Sequence, residues 1–575
     1  MGPYPIVNIY PPAGSENGPG RRDIFRDSLF RVMRGLGGRL PILGGDWNCV
    51  ISVKDIEGGD YSKKKSQDLQ DLIKDFNMTD CYRYLFPDGR EYTWARKDMF
   101  RSRLDRFYIP TDLVTSLQDL SHHPFMSDHS YVKLMIKLPD VFTRVKAKKQ
   151  QSSGFWKLNN LVLEEEEFLL EFGYMWERVK AVKTSYTDVA EWWDNFAKEE
   201  CRALCMRYAA MSARVRRDTK DYLMIMLGCA MREKDWVEVA VVRGRLKEIM
   251  NRENLGFIVR SRFKENIESE KAALFHLNRE KRKGNQRSVS KLLINGEEVE
   301  KKEEIEAEIK DFFGALFQGH HRRGGINSGK TFEPDFSNID EFLEGLGELT
   351  TGSQGKIIKR VSMEELEEAV TSLNSHKSPG LDGLTAEFYK KTLEVTKEDL
   401  LDIINCQLDR VRLIESDRHG ATRLGPKVEG VPRVDQLRPI TLLNLEYKIL
   451  SKIITNRLLK VMGEVVRSGQ SCSVPGQNIL FGAHNILSVI QYKEKYGGEG
   501  ALVSYDLYKA YDRVCLPFLF QVMKKMKFPK RFIDWLRMCH DGATTCFILN
   551  FLTKPIDLLI SVRQGDCLAM CLCGW

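Results

Sequence analysis

SYDLYKAYDRV, residues 504–514, closes a short apolar run and sets Asp506 at its polar end, with Tyr511 five positions on and Asp512 after it. Side chains of an extended chain alternate, so Val503 and Tyr505 face one way and Leu502, Ser504 and Asp506 the other. The stretch is therefore predicted to be a strand that delivers a carboxylate from its end. A lone strand-end aspartate more often caps the next turn than carries chemistry, so the neighbourhood has to decide.

The chain has 575 residues, 42% of them hydrophobic, enough for about three or four cored domains. No apolar run approaches the roughly 18 residues of a membrane span, and MGPYPIVNIYPPAG has no basic region ahead of an apolar core. Thirteen cysteines are scattered without a C-x-x-C pair, which points to free thiols in a reducing, intracellular compartment and away from structural zinc. A net charge of +8 suggests a polyanionic partner. Residues 252–287 hold ten Lys/Arg against five Glu, interleaved with Phe257, Phe263 and Phe275, which suits a phosphate-gripping helix as well as it suits a charged surface. Residues 297–311 hold eight acids against three lysines and read as a solvated helix face.

The expected organisation is α/β and α+β, in several domains. Residues 1–140 alternate short β-like runs (PIVNIY, LPILGGDWNCVI, SRLDRFYI, YVKLMIKL) with Gly, Pro and Asp. Residues 141–355 form a connector: a basic linker at 144–154, a helical stretch from Phe155 to about Phe317, and a loop or break at 318–330. Residues 356–575 are mixed α/β, with proline-marked turns expected at KSPGLDG and LRPI. After RPI, Leu450, Ile454, Leu458, Val461 and Val465 form one helical stripe, with Lys448, Lys452, Asn456 and Lys460 on a solvated face.

LGGDWNCV places Asp46 and Asn48 at the end of an apolar run, SRLDRFYI places Asp105 at the start of one, and SDHS supplies Asp128 and His129. All could project from strand ends at one sheet edge. Such a set suits phosphodiester hydrolysis, in which one carboxylate binds Mg²⁺, another sets the tautomer of a histidine, and an Asp and an Asn position water and phosphate. These residues resemble the C-terminal half of the exonuclease–endonuclease–phosphatase superfamily, which includes endonucleases of non-LTR retrotransposons. The resemblance implies that Tyr10 contacts the phosphate, Asp46 activates water, Asn48 positions the phosphate, Asp105 orients the catalytic His129, and Asp128 binds the metal. It also implies a partial β-sandwich, because the family's metal-binding glutamate comes from a segment ahead of Tyr10, leaving sheet edges and an apolar face uncovered.

In the last third, KSPGLDGLTAEFYKK, QLRPITLLN, YKI, VPGQNI, SYDLYKAYDRV and SVRQGD follow one another in an order similar to the fingers and upper palm of a right-hand reverse transcriptase, in wording like that of LINE-type elements. The resemblance implies that Asp506 binds both catalytic Mg²⁺ (or Mn²⁺) ions with help from the Leu507 carbonyl, and that Tyr511 excludes a ribose 2′-OH. Lys427 and Arg438, each read as sitting in a proline-stiffened turn, would contact the incoming triphosphate, and Gln564 and Gly565 would line the nucleotide pocket. The family's Asp-Asp hairpin is expected downstream, so both domains are expected to be partial. The implied partners are an RNA template, a DNA target and primer, and deoxynucleoside triphosphates, with no membrane; the implied location is nucleus and cytoplasm. Two functions stay open: an RNA-directed DNA polymerase with a DNA-nicking endonuclease, serving target-primed reverse transcription, or a catalytically dead nucleic-acid-binding remnant or pseudogene product.

Overall fold

The computed structural model describes residues 5–573 except 12–19, 37–40, 60, 62, 97–99, 124–126, 138–155, 262–288, 290, 319, 324–325, 332–335, 429, 467–468, 471–473, 498 and 550–551. The 144–154 linker and most of the basic stretch 252–287 lie outside the described residues. Helices and sheets alternate, and the contacts divide the chain into two units: residues 1–149 with 213–264, and residues 150–212 with 265–575. Among the described residues no helix is long and apolar enough to cross a membrane, and the described cysteines are free.

In the first unit four strands lie in the order Ile6–Ile9, Ile42–Asp46, Asp105–Pro110, Met78–Asp80, the first pair parallel and the others antiparallel. One face buries Ile9, Leu43 and Tyr108 against Leu29 and Met33 of helix Gly20–Gly35 and Leu69 and Leu72 of helix Lys63–Asp75. The other buries Ile42 and Ile109 against Cys81, Tyr82, Leu113 and Leu120. The expectation of an uncovered apolar face is corrected here, because the chain's own helices and the hairpin Leu117–His123/Tyr131–Ile136 cover it. Beneath the sheet, Arg103 pairs with Asp55 (2.8 Å) and Asp80 (2.7 Å), and Arg83 also reaches Asp55. Arg103 and Asp55 are each 1% exposed; charges so deep are tolerated because each is paired. From residue 213 onward this unit also contains a helical hairpin made of the C-terminal part of helix Lys198–Glu233 and helix Trp236–Ser261, sealed by Leu223, Leu227, Val239, Val242 and Leu246.

The second unit centres on helix Leu445–Val465. The predicted stripe is buried, but so are Tyr447, Ile449, Ile453, Arg457 and Met462, and Lys448, Lys452 and Asn456 are half-buried. The solvated basic face is thus corrected in part: helices Met363–Thr371 and Ala386–Arg410 pack on this helix, Cys567 lies beside Lys448 and Lys452, and Lys460 stays exposed. Glu446 of this helix receives Lys198 Nζ at 2.8 Å, and the same ammonium reaches Ser416 Oγ at 2.7 Å and Asp382 of KSPGLDG at 3.5 Å. Burial and then Glu446 push the Asp382 carboxyl up to about 7. The first part of the connector is therefore locked to the 380s loop by buried charge.

Three further sequence expectations change. The helical reading of the connector misses the hairpin Leu292–Ile294/Glu297–Val299, whose turn Asn295 (φ 53°) and Gly296 (φ 90°) adopt the left-handed backbone that an Asn-Gly pair favours. The loop or break at 318–330 contains a second antiparallel pair, His320–Arg323 with Ile326–Thr331. LRPI is not a turn: Arg438 and Pro439 lie in strand Leu437–Leu442. That strand is the edge of the sheet ordered Leu437–Leu442, His419–Pro426, Thr544–Ile548, Ile556–Asp557, and an edge tolerates a residue with no N–H. The acidic residues after Glu297 lead into helix Lys302–Phe317, which buries Ile305, Ile309 and Phe313 and leaves Glu303, Glu304 and Asp311 exposed.

Candidate nuclease centre and nucleotide cavity

Strand Ile42–Asp46 ends where Asp46 stands opposite Asp105 in the antiparallel register. Its other edge pairs Gly45 with Ile9. Gly45 has φ +142°, and a Cβ there would lie 2.1 Å from the Ile9 carbonyl oxygen, so the close approach demands glycine. The chain then turns through Asn48 (φ 47°), whose backbone N–H donates to Asp46 Oδ1 at 2.9 Å and whose side chain donates to the Pro11 carbonyl at 2.8 Å. Asn48 is thereby fastened to the segment that carries Tyr10, which is 71% exposed at the end of the first strand. From the loop before Tyr131–Ile136, His129 brings Nδ1 to within 2.8 Å of Asp105 Oδ2. Ligand atoms of Asp46, Asp105 and His129 all lie within 4.8 Å of one another.

The electrostatics divide labour among these groups. Burial, followed by the Asp105 charge and against the Asn48 hydrogen bond, raises the Asp46 pKa. The Asp105 hydrogen bond raises that of His129 against its partial burial. A carboxyl with elevated basicity and an imidazolium that persists to higher pH suit a proton acceptor and a partner for anionic phosphate oxygens. Asp128 stands apart from this triplet: it is exposed, with Oδ2 accepting from Trp94 Nε1 at 2.9 Å and Oδ1 from Ser127 Oγ at 3.0 Å. Burial works to raise its pKa, but those two hydrogen bonds bring it below the ordinary carboxylate value. Two carboxylates beside an imidazole fit a hard divalent cation, with His129 Nδ1 already engaged by Asp105. Trp94, which the sequence reading passed over, is the residue that orients Asp128; its position in a three-residue strand gave no signal.

In the second unit Lys427, Arg438, Asp506, Leu507, Tyr511, Gln564 and Gly565 all line one cavity of about 670 Å³. Lys427 follows Pro426 at the strand end and donates its backbone N–H to Gln436 at 3.0 Å; Arg438 lies on the edge strand. Tyr511 is in the short helix Ala510–Arg513, and its carbonyl accepts from Val562 N–H at 2.9 Å, which lays the SVRQGD segment alongside. Gly565 (φ +116°) passes so close to the sheet that a Cβ would sit 2.5 Å from the Thr441 carbonyl oxygen.

The strand expected around Asp506 is not there. Residues 501–507 have no secondary structure and, among the described residues, no strand pairs with them. Leu502 is 72% and Tyr505 88% exposed. A β-run forms a strand only when a neighbour takes its backbone N–H and C=O groups, and here water takes them. Two residues to which the sequence reading gave no role belong to this site, Lys509 in the cavity lining and Asp512 next to the lining residue Gln564. Asp512, 2% exposed, accepts from Gln564 Nε2 at 3.4 Å, and burial pushes its carboxyl up to about 6. Lys509, in left-handed backbone (φ 52°), donates Nζ to the Leu437 carbonyl at 3.2 Å over the rings of Phe312 and Phe313. Asp566 also lines the cavity, with Oδ2 taken by the Tyr447 hydroxyl at 2.5 Å. Among the described residues no group of three metal-capable side chains forms around Asp506, so this donor set does not fit a two-cation centre.

Residues 426–573 match the reverse transcriptase (RNA-dependent DNA polymerase) family. Across 98% of its length the chain is 26% identical to a 149 kDa protein of transposon TX1 from Xenopus laevis, covering 42% of that protein. Across 37% it is 25% identical to the Pol polyprotein of the type-2 retrotransposable element R2DM from Drosophila melanogaster, covering 19% of it. The chain thus spans less than half the length of these relatives. Among solved structures, the endonuclease domain of TRAS1, a telomere-specific non-LTR retrotransposon, aligns at 20% identity over 23% of this chain and 55% of that one, with TM-score 0.18. A 3′-5′ exonuclease from Neisseria meningitidis aligns at 21% identity over 24% and 62%, with TM-score 0.21. Reverse transcriptases generally use divalent metal ions. With the reverse transcriptase match at 426–573 and one transposon relative aligned along nearly its whole length, the chain is similar to the LINE-type non-LTR retrotransposon polyproteins.

Proposed function

We propose that the chain acts on nucleic acid at two centres, nicking a DNA strand at Asp46, Asp105 and His129 and binding a deoxynucleoside triphosphate for RNA-templated DNA synthesis in the cavity beside Asp506. Together these are the two activities of target-primed reverse transcription. The observation that carries the reading is the 2.8 Å contact of His129 with Asp105, opposite an Asp46 whose carboxyl is made more basic by burial.

In the nick, the oxygen of a water bonds to phosphorus as the bond to the 3′ oxygen breaks, and the departing 3′ oxygen keeps the electron pair and takes a proton from solvent. Asp46 takes the water's proton, His129 faces the charge on the phosphate oxygens, and Asn48 and Tyr10 hold the phosphate in line. A divalent cation, when bound, would neutralise phosphate charge, and Asp46 and Asp105 would offer the carboxylate oxygens to hold it. The freed 3′-OH is the end that a polymerase extends. In the cavity, Lys427 and Arg438 face the triphosphate, Gln564 and Gly565 line the nucleotide, and Tyr511 stands where a 2′-OH would be excluded.

The test uses this chain extended on both sides with the flanking segments of the Xenopus laevis relative. His129→Ala should reduce nicking of supercoiled DNA about 10²–10⁴-fold, the worth of a positioned acid–base group. Unchanged nicking would remove the nuclease reading. On an RNA template, Asp506→Asn should abolish primer extension and Tyr511→Val should admit ribonucleotides; near-normal extension by Asp506→Asn refutes the polymerase reading. The exposed, unpaired segment 501–507 favours a second reading, a nucleic-acid-binding protein without polymerase catalysis, and the same extension assay separates the two.

A further inference from the structure

The tip of the helical hairpin in the first unit is built beside the candidate nuclease centre. After Glu233 the chain reverses at Lys234 (φ 59°), and Asp235 Oδ1 caps the next helix by accepting from the N–H groups of Val237 (3.1 Å) and Glu238 (3.0 Å). This turn sets Arg232 and Trp236 on one wall of a cleft of about 380 Å³, whose other lining includes Arg90, Trp94 and His129. From the second helix, Arg243 Nη2 donates to the Ser127 carbonyl at 3.2 Å, so the hairpin also holds the loop that carries Asp128 and His129. Arg232 and Arg90 have no carboxylate partner among the described residues, and Trp236 is exposed. Guanidinium groups without carboxylate partners beside an exposed indole are the chemistry that holds a nucleic-acid strand, phosphates on the cations and bases on the ring.

We propose that the hairpin tip is the second wall of the nuclease cleft and grips the DNA strand next to the scissile phosphate, Arg232 pairing with a backbone phosphate and Trp236 stacking on an unpaired base. The hairpin tip around residues 232–236 is then part of the nuclease's substrate site as well as a link along the chain. The inference rests on the nuclease reading for the identity of the strand as DNA, but the binding it describes does not need catalysis.

The experiment uses the full chain and a DNA duplex with a short unpaired bubble bearing 5-iodouracil, irradiated and mapped by peptide sequencing. Cross-links are expected at Trp236 or Trp94 in the wild type. Trp236→Ala and Arg232→Ala should each weaken binding about 5-fold or more, the low end of what one stacked base contributes, and Trp236→Phe should restore it. The salt dependence should become shallower in Arg232→Ala, because one phosphate contact is lost. Cross-links confined to other segments, affinity unchanged in both variants, or the same cross-links on RNA in preference to DNA would each overturn the proposal. Loss of the nuclease reading has a different signature, nicking by His129→Ala at the wild-type rate with the hairpin cross-links intact.

Discussion

Asp46 and Asp506 end apolar runs that read alike, yet the fold treats them in opposite ways. Asp46 closes a strand paired on both sides, in parallel with Ile6–Ile9 and antiparallel with Asp105–Pro110, and its neighbour Asn48 is pinned by two further hydrogen bonds. Asp506 follows residues that pair with nothing among those described, and Leu502, Val503, Tyr505 and Leu507 around it face solvent. Helix Ile479–Tyr496, just before it, likewise buries no residue. A catalytic carboxylate needs to be held in place before substrate arrives, and a ladder on each side is what holds it. By that measure the first centre is assembled and the second is a cavity with a loosely held acid at its mouth.

The comparison breaks most visibly through chemistry. In the extended protein used for nicking, Asp105→Asn should cost about 10²-fold or more, because an amide no longer favours the protonated imidazole. The same variant should bring the His129 titration, followed by NMR, down towards its ordinary value of 6.5. The linkage has a definite sign. A folded-state pKa raised above the unfolded one gives a stabilisation that is complete below the unfolded pKa and lost as pH rises through the folded one. Asp105→Asn should therefore lower stability most on the acid side of neutrality; an equal loss at alkaline pH would show that the contact does not act through His129.

Amide hydrogen exchange sharpens the contrast next. Residues 502–507 should exchange near the free-chain rate, while 43–46 and 106–109 should be slower by about three orders of magnitude, the factor that ~4 kcal/mol of opening free energy represents. Equal protection in both segments would mean that Asp506 does sit in a ladder. Gly45→Ala comes third. Its positive φ and the Ile9 carbonyl at 2.1 Å predict a loss of about 1–3 kcal/mol, read as a lower unfolding midpoint together with weakened nicking. The smallest effect is expected for the stability of Asp506→Asn, within about 0.5 kcal/mol, since an exposed side chain on an unpaired segment loses little. A larger loss would expose a structural partner for Asp506.

Much of this protein was readable from local pattern. Strands at 6–9, 42–46, 105–110 and 131–136 follow from short β-rich runs bounded by Gly, Pro and Asp, and the helix from Leu445 follows from its apolar stripe. The set Asp46, Asn48, Asp105 and His129 is legible in short motifs at the ends of apolar runs, whereas Lys427, Arg438, Asp506 and Gln564 are legible as a set only through the family resemblance. What pattern could not decide is set by partners distant in the chain. Pro439 is tolerated in a strand because that strand is an edge, and Lys448 and Lys452 are half-buried because the segment around Cys567 lies beside them. His129 meets Asp105 because a sheet brings residues 24 apart in sequence to 2.8 Å. Residues 501–507 have every local mark of a strand and are not one, because hydrogen bonding between strands is a property of pairs. Periodicity specifies which face of an element is apolar; tertiary structure alone supplies the neighbour that turns that face, or that carboxylate, into a fixed part of a site.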